Sequence, residues 1–166
     1  MIFNVNVTGE FNNVKGLRIV QQYCIKVKCG ACNEEYPNEI KINSNEVRSI
    51  KIKEKPKMKE YFNLIVNCRK CENVMCIEIF EPENRFEFQE DLWLCPVLND
   101  KCHVSTIKSD SAVVTSVDQL ILDAVSEDKG FVFSNCDFNK RTLAQDDFSG
   151  STLSILNFLI QVEQIH

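Results

Sequence analysis

Apolar and polar residues alternate with a period of two along most of this chain, and that period predicts β-strands. Phe3, Val5 and Val7 fall on one face of the first segment, with Asn4, Asn6 and Thr8 on the other. Asn12-Asn13 and Gly16 mark a turn. Tyr23, Ile25 and Val27 alternate with Cys24, Lys26 and Lys28, so a second strand runs straight into Cys29. Ile40-Lys41-Ile42 and Ile50-Lys51-Ile52 predict short strands around an Asn43-Ser44-Asn45 turn. Phe62, Leu64 and Val66 alternate with Asn63, Ile65 and Asn67 and lead into Cys68, while Met75, Ile77 and Ile79 lead away from Cys71.

Two stretches read differently. Val117, Leu120, Ile121, Ala124 and Val125 follow the i, i+3, i+4, i+7, i+8 rhythm of a helix. Ser116 with Gln119 would make a capping box, and Gly130 would stand just past the end. On pattern alone, residues 115–129 predict one short helix. From Leu153 to Ile165 the apolar content is too continuous for periodicity to decide, and its β-branched and aromatic residues favour a strand.

Glu81-Pro82-Glu83-Asn84 is polar, contains a proline and sits at the midpoint. It is read as the boundary between a zinc-binding β half, residues 1–81, and a metal-free β half, residues 82–166. The second half echoes the first: Leu92-Trp93-Leu94 then Leu98-Asn99-Asp100 matches Val5-Asn6-Val7 then Phe11-Asn12-Asn13. Gly130-Phe131-Val132-Phe133 opens a strand where the first half has Tyr23 to Val27. An internal duplication is the expectation. The predicted class is all-β: two similar β-sheet halves packed together, with at most one short helix.

The chemistry concentrates in Cys29-Gly30-Ala31-Cys32 and Cys68-Arg69-Lys70-Cys71, two C-x-x-C pairs with 35 residues between the inner cysteines. Each C-x-x-C bend brings two sulfurs to one side, and two facing bends complete a tetrahedron around Zn²⁺. The expected ligands are therefore Cys29, Cys32, Cys68 and Cys71, in a zinc-ribbon-like site. A redox dithiol is a rival, but Asn33-Glu34-Glu35-Tyr36-Pro37 does not begin the helix that such a motif opens. Disulfides are another, but the cysteine count of nine is odd and the N-terminus reads as a strand rather than a secretory leader. Chance pairing is the third, and identical spacing argues against it. Gly30 is expected to let backbone N–H groups approach the thiolates, and Lys26, Lys28, Arg69 and Lys70 to offset the negative charge of four sulfurs. Cys24 and Cys76 flank the pairs as small buried hydrophobes. Cys95, Cys102 and His103, with Cys136, make at most an incomplete second set. His166 is the last residue.

Composition narrows the function. A 44% apolar chain of 166 residues can bury a core, and no apolar run reaches membrane-spanning length. The cytosol, with the nucleus as a further place, is the expected location. The net charge of −5 divides unevenly: residues 1–80 carry 13 Lys and Arg against 9 Asp and Glu, and residues 81–166 carry 6 against 15. An acidic total argues against general nucleic-acid binding. Arg48, Lys51, Lys53, Lys55, Lys57 and Lys59 form a basic stretch, read first as a solvated loop or a lysine-guarded edge strand. No H-E-x-x-H, G-x-S-x-G or phosphate-cradling glycine motif is present, and Asp146-Asp147 and Glu90-Asp91 read as solvated loops. Four thiolates would also fill the metal's shell, so no enzyme activity is expected.

With those residues in view, the chain resembles the eukaryotic CXXC-motif-containing zinc-binding proteins. Val27-Lys28-Cys29-Gly30-Ala31-Cys32, Val66-Asn67-Cys68-Arg69-Lys70-Cys71 and Gly130-Phe131-Val132-Phe133 carry the resemblance, which covers nearly the whole length. It implies the same four ligands and two similar all-β halves side by side, zinc in the first. It pulls residues 115–129 toward extended structure, against the helical rhythm. It implies no reaction. The functional expectation is a structural zinc site in a non-enzymatic protein-interaction module whose partner is another protein, with no membrane partner. Thiol-based metal handling or redox chemistry is the alternative, and a nucleic-acid-binding zinc ribbon the weaker one.

Overall fold

A computed structural model describes residues 1–52, 55–146 and 148–165. Lys53 and Glu54 of the basic stretch, Asp147 and His166 lie outside these residues. The described residues form strands β1 (Ile2–Asn12), β2 (Val14–Cys29), β3 (Ile40–Asn43), β4 (Arg48–Ile52), β5 (Lys55–Phe62), β6 (Leu64–Asn67), β7 (Val74–Phe80), β8 (Phe86–Gln89), β9 (Leu92–Leu98), β10 (Lys101–Asp110), β11 (Ala112–Ser126), β12 (Val132–Cys136), β13 (Leu143–Asp146) and β14 (Ser151–Ile165). No helix occurs among the described residues. The all-β class follows from the period-two pattern.

The main sheet runs in the order β12-β11-β2-β9-β10-β1-β14-β13, with β3 added to β2, β7 and β6 added beyond β10, and β8 added to β9. All its pairings are antiparallel. Strands from either side of the Glu81–Asn84 loop alternate: β2 lies between β11 and β9, and β1 between β10 and β14. The two stretches therefore share one sheet and one core. Phe3, Leu17, Ile25, Ile77, Ile107, Leu120, Leu122 and Ile155 are among its fully buried side chains.

Single residues turn the chain between long strands. Asn13 (φ 59°) separates β1 from β2, and Ser111 (φ 57°) separates β10 from β11. Asn99 and Asp100, both at positive φ, make the tight β9–β10 turn that left-handed residues favour. Gly16, expected in the first turn, instead lies within β2. A Cβ there would come within 3.0 Å of both the Cys95 carbonyl oxygen and Leu94, so glycine permits β9 to approach closely. The Asn43–Asn45 turn is present, with the Asn43 side chain accepting from the Asn45 amide at 2.9 Å. It joins strands that pair elsewhere, β3 with β2 and β4 with β5.

Residues 115–129 correct the helical reading. Residues 115–126 are extended and 127–129 form a turn, and β11 pairs with β2 along nearly its whole length. The pairing register shifts between Val114 and Ser116, between Val117 and Gln119, and between Leu120 and Leu122. A bulge inserts an unpaired residue and moves the inward-facing position on by one. Successive bulges thus put Val114, Val117 and Leu120 into the core at a spacing of three, which imitates a helical rhythm. Ser116, read as a cap, is mid-strand with no hydrogen-bond partner for its hydroxyl among the described residues. The Leu153–Ile165 stretch forms most of β14, the strand that its composition favoured.

The β1–β2 bend is fastened to distant loops. Asn13 accepts the Asp128 amide at 2.9 Å and donates to the Thr152 carbonyl at 2.8 Å. Ser151 donates to the Asp128 carboxylate at 3.0 Å, and the Lys129 amide does so at 2.7 Å. Side-chain hydrogen bonding from Asn13, then from Ser151 and Ser126, holds the Asp128 carboxyl down to about 2, from an ordinary 3.8, against desolvation. A carboxyl depressed in the folded state stabilises it above the unfolded value and loses that contribution as pH falls through the folded value. Asp128→Asn should therefore lower the melting temperature at neutral pH, and the gap from the parent should close as pH falls from about 4 to about 2. Paired thermal melts across that range check this.

Candidate metal centre

The end of β2 delivers the first pair of cysteines, and the β6–β7 hairpin tip delivers the second. The two tips have the same backbone. In each, the first cysteine's carbonyl accepts from the residue four positions on: Asn33 to Cys29 and Glu72 to Cys68, both at 2.9 Å. In each, the first cysteine's amide donates five positions on, to Glu34 at 2.8 Å and to Asn73 at 2.9 Å. Asn33 and Glu72 both take a φ of 57°. This turn aims backbone N–H groups at sulfur: those of Ala31 and Cys32 at Cys29, of Glu34 at Cys32, of Lys70 and Cys71 at Cys68, and of Asn73 at Cys71.

All four sulfurs lie within 4.8 Å of one another, and they are the one cluster of metal-ligating side chains among the described residues. Cys29 and Cys71 sulfurs are 3.6 Å apart, as are those of Cys32 and Cys68. A tetrahedron with metal–sulfur bonds of about 2.3 Å has sulfur–sulfur edges of about 3.8 Å. The donor set fits a tetrahedral thiophilic ion. Cys29 and Cys68 are buried, Cys32 is half-buried and Cys71 is exposed, so one corner faces solvent.

The thiols already polarise one another. The Cys32 amide, followed by that of Ala31 and the Cys71 thiol, lowers the Cys29 pKa to about 6 against desolvation. The amides of Cys71 and Lys70 lower that of Cys68. Cys71 is pushed up to about 12: the Asn73 amide favours its thiolate, but Cys32, burial, Cys29 and Cys68 together oppose it. Cys32 is raised too, the Glu34 amide being outweighed by desolvation and by Cys68 and Cys29. A cation among the sulfurs relieves this competition by making all four thiolates favourable together.

The surroundings match the sequence expectation only in part. Gly30 donates its N–H to the Ser111 carbonyl at 3.0 Å, not to a sulfur. A Cβ on Gly30 would meet that carbonyl at 3.3 Å, so glycine fits the tip against the β10–β11 bend. Of the cations expected to offset the sulfurs, Lys70 is raised first by Glu34, with which it pairs at 3.3 Å, and then by the Cys32 and Cys68 charges, whereas Lys26 pairs with Asp118 at 2.8 Å and Arg69 lies over the Tyr36 ring. Among the described residues, Asn73 is the neutral side-chain donor to the cluster, its amide lying 3.7 Å from the Cys29 sulfur. Asn73 gave no signal in the sequence beyond standing two residues after Cys71.

The site is aligned from outside residues 1–81. β11 pairs with β2 so that Ala112 faces Cys29, and β10 pairs with β7 so that Asp110 faces Cys76. Residues 110–112 thus run between the two tips and hold them in register. Of the remaining cysteines, Cys24 and Cys76 are buried beside the tips without joining the cluster. Cys95 and Cys102 stack in the core, where burial pushes Cys95 up to about 12 and raises Cys102 further. His103 engages the Ser105 carbonyl at 2.9 Å and the Thr106 hydroxyl at 3.1 Å, and Cys136 accompanies neither in a metal-ligating cluster.

The chain matches the family described as CXXC motif containing zinc binding protein, eukaryotic, over residues 4–163. It belongs to that family. An uncharacterised protein of Encephalitozoon cuniculi is 30% identical to it over 175 residues, covering 98% of each chain. The crystal structure of C1orf123 is similar at a TM-score of 0.74 and 16% identity, covering 99% of this chain and all of that one. A hypothetical protein from Plasmodium falciparum is similar at a TM-score of 0.76 and 11% identity, covering 98% and 99%. At those identities the two structures attest the fold alone.

Two substitutions test this geometry. Glu72 occupies a left-handed conformation that costs a side-chain-bearing residue about 1 kcal/mol. Glu72→Gly should keep the metal and raise stability by a sizeable part of that, read from the urea midpoint. Ala112 is fully buried opposite Cys29. Ala112→Leu should overpack the junction at about 1–3 kcal/mol and weaken metal binding measurably in a chelator competition, although residue 112 is not a ligand.

Proposed function

We propose that Cys29, Cys32, Cys68 and Cys71 hold a structural Zn²⁺ in a non-enzymatic protein whose work is to bind another protein. The observation that carries this reading is the mutual approach of four sulfurs within 4.8 Å, each with a backbone N–H aimed at it. Four protein thiolates satisfy a tetrahedral ion, leaving no coordination position for a substrate or an activated water. Zinc binding of this kind contributes folding free energy directly, because the unfolded chain offers no preformed site. Here the ion would link β2 to the β6–β7 hairpin across the start of β11. No helix among the described residues is long and apolar enough to cross a bilayer.

One observation favours a second reading. Cys71 is exposed, so a competing thiol or chelator can reach one bond to the metal. Thiol-based metal exchange or redox handling would use that corner.

Purified protein should contain about one zinc per chain by elemental analysis, as a tetrahedral thiolate site takes a single ion. Cys68→Ser should lose it. Chelation should lower the melting temperature strongly and release amide protection first in β2, β6 and β7. Retained melting after complete metal removal would refute the structural role. Zinc release within seconds to a weak chelator, with the fold preserved, would favour the exchange reading.

A further inference from the structure

Strands β4 and β5 form a two-stranded sheet of their own, hydrogen-bonded to no third strand among the described residues. Such a ribbon is marginal in water, and a third strand or a covered face is what stabilises it. Its root is firmly held. Asn63, just past β5, donates to the Ser44 carbonyl at 2.9 Å and the Glu46 carbonyl at 3.0 Å, and accepts the Ile79 amide at 2.7 Å. The ribbon therefore leaves the body at a fixed point, with its edges open.

Its charge is concentrated. Residues 48–62 hold six Lys and Arg against two Glu, whereas the rest of residues 1–80 hold seven of each sign. The whole positive surplus of the first half lies in this ribbon. The register places Lys51 directly opposite Lys59, with Ser49 opposite Tyr61 on the same face. Like charges directly across a ladder destabilise it. Among the described residues neither Lys51, Lys59 nor Arg48 pairs with a carboxylate. Tyr61 beside them is 59% exposed.

We propose that the β4–β5 ribbon docks an extended, acidic segment of a partner protein, which adds to it as a third strand. Main-chain hydrogen bonds to the open edge would supply the missing strand, and carboxylates on one face of the segment would neutralise Lys51 and Lys59. Tyr61 offers that segment an apolar ring with a polar tip. Charge complementarity selects an acidic strand over a neutral one. The overall charge of −5 favours a short peptide over a nucleic acid, whose phosphates would continue past the ribbon onto acidic surface. The proposal rests on the interaction-module reading but not on the metal.

The test is fluorescence anisotropy with a labelled, terminally blocked octapeptide of alternating glutamate and valine, using the full zinc-loaded chain. Binding should weaken as salt rises and fall at least tenfold in Lys51→Glu/Lys59→Glu, with an intermediate loss in the milder Lys51→Gln/Lys59→Gln. Both variants should keep the parent's metal content and melting temperature, which separates a lost surface from a lost fold. The bound peptide should slow amide exchange at residues 48–51 and 59–62. Absence of binding, binding indifferent to the substitutions, unchanged exchange, or tighter binding of single-stranded oligouridylate would each overturn the proposal. None of these results would alter the metal analysis, so the two readings fail separately.

Discussion

Four sulfur atoms can share one ion only if two chain turns, 36 residues apart at their inner cysteines, are held tip to tip. That requirement organises this protein. Each tip is rigid in itself, because the same pair of backbone hydrogen bonds closes both turns. Neither can find the other unaided. The alignment comes from β10 and β11, which pair with β7 and β2 respectively and meet at Ser111 between the tips. Strands β10 and β11, which carry none of the four clustered cysteines, are thus the jig on which the tips are set.

This arrangement links metal and fold in both directions. Long-range antiparallel pairing builds the site, and an ion in the site would in turn lock β2 and the β6–β7 hairpin to the strands that pair with them. The energetic logic is that of thiolates crowded together. Without a cation, amide donors can favour only some of the four charges, so Cys29 and Cys68 are lowered while Cys32 and Cys71 are raised. A divalent ion removes the conflict. The other cysteines show the contrast, since burial outweighs the Arg85 charge near Cys95 and the Leu17 amide at Cys102 and keeps both as thiols.

The β4–β5 ribbon stands apart from this economy. It takes no part in the main sheet, yet Asn63 fixes its base with three hydrogen bonds to two neighbouring segments. A body held by interleaved strands with one open, basic ribbon is a division of labour that the rest of the acidic surface accentuates. It also explains why charge was informative here only when counted by segment.

The two cysteine pairs and most strands were legible in the sequence because they depend on local rules. C-x-x-C spacing sets the geometry of a single turn, and alternation sets which side of a strand is buried. Val5, Ile25 and Ile77 obey that rule and are fully buried. What escaped was whatever depends on a partner strand. The helical rhythm of Val117 to Val125 was real, but bulges imposed by pairing with β2 produced it. Gly16 and Gly30 were readable as special, yet their reasons, the approach of β9 and of Ser111, lie 80 or so residues away along the extended chain. Asn73 and Asn63 gain their roles only from neighbours that the fold supplies. The sequence by itself determined most of the strands and the two closely spaced cysteine pairs. Tertiary pairing alone decided the interleaved strand order, the extended form of β11 and the meeting of the two tips, because register between distant segments is a property of no segment taken singly.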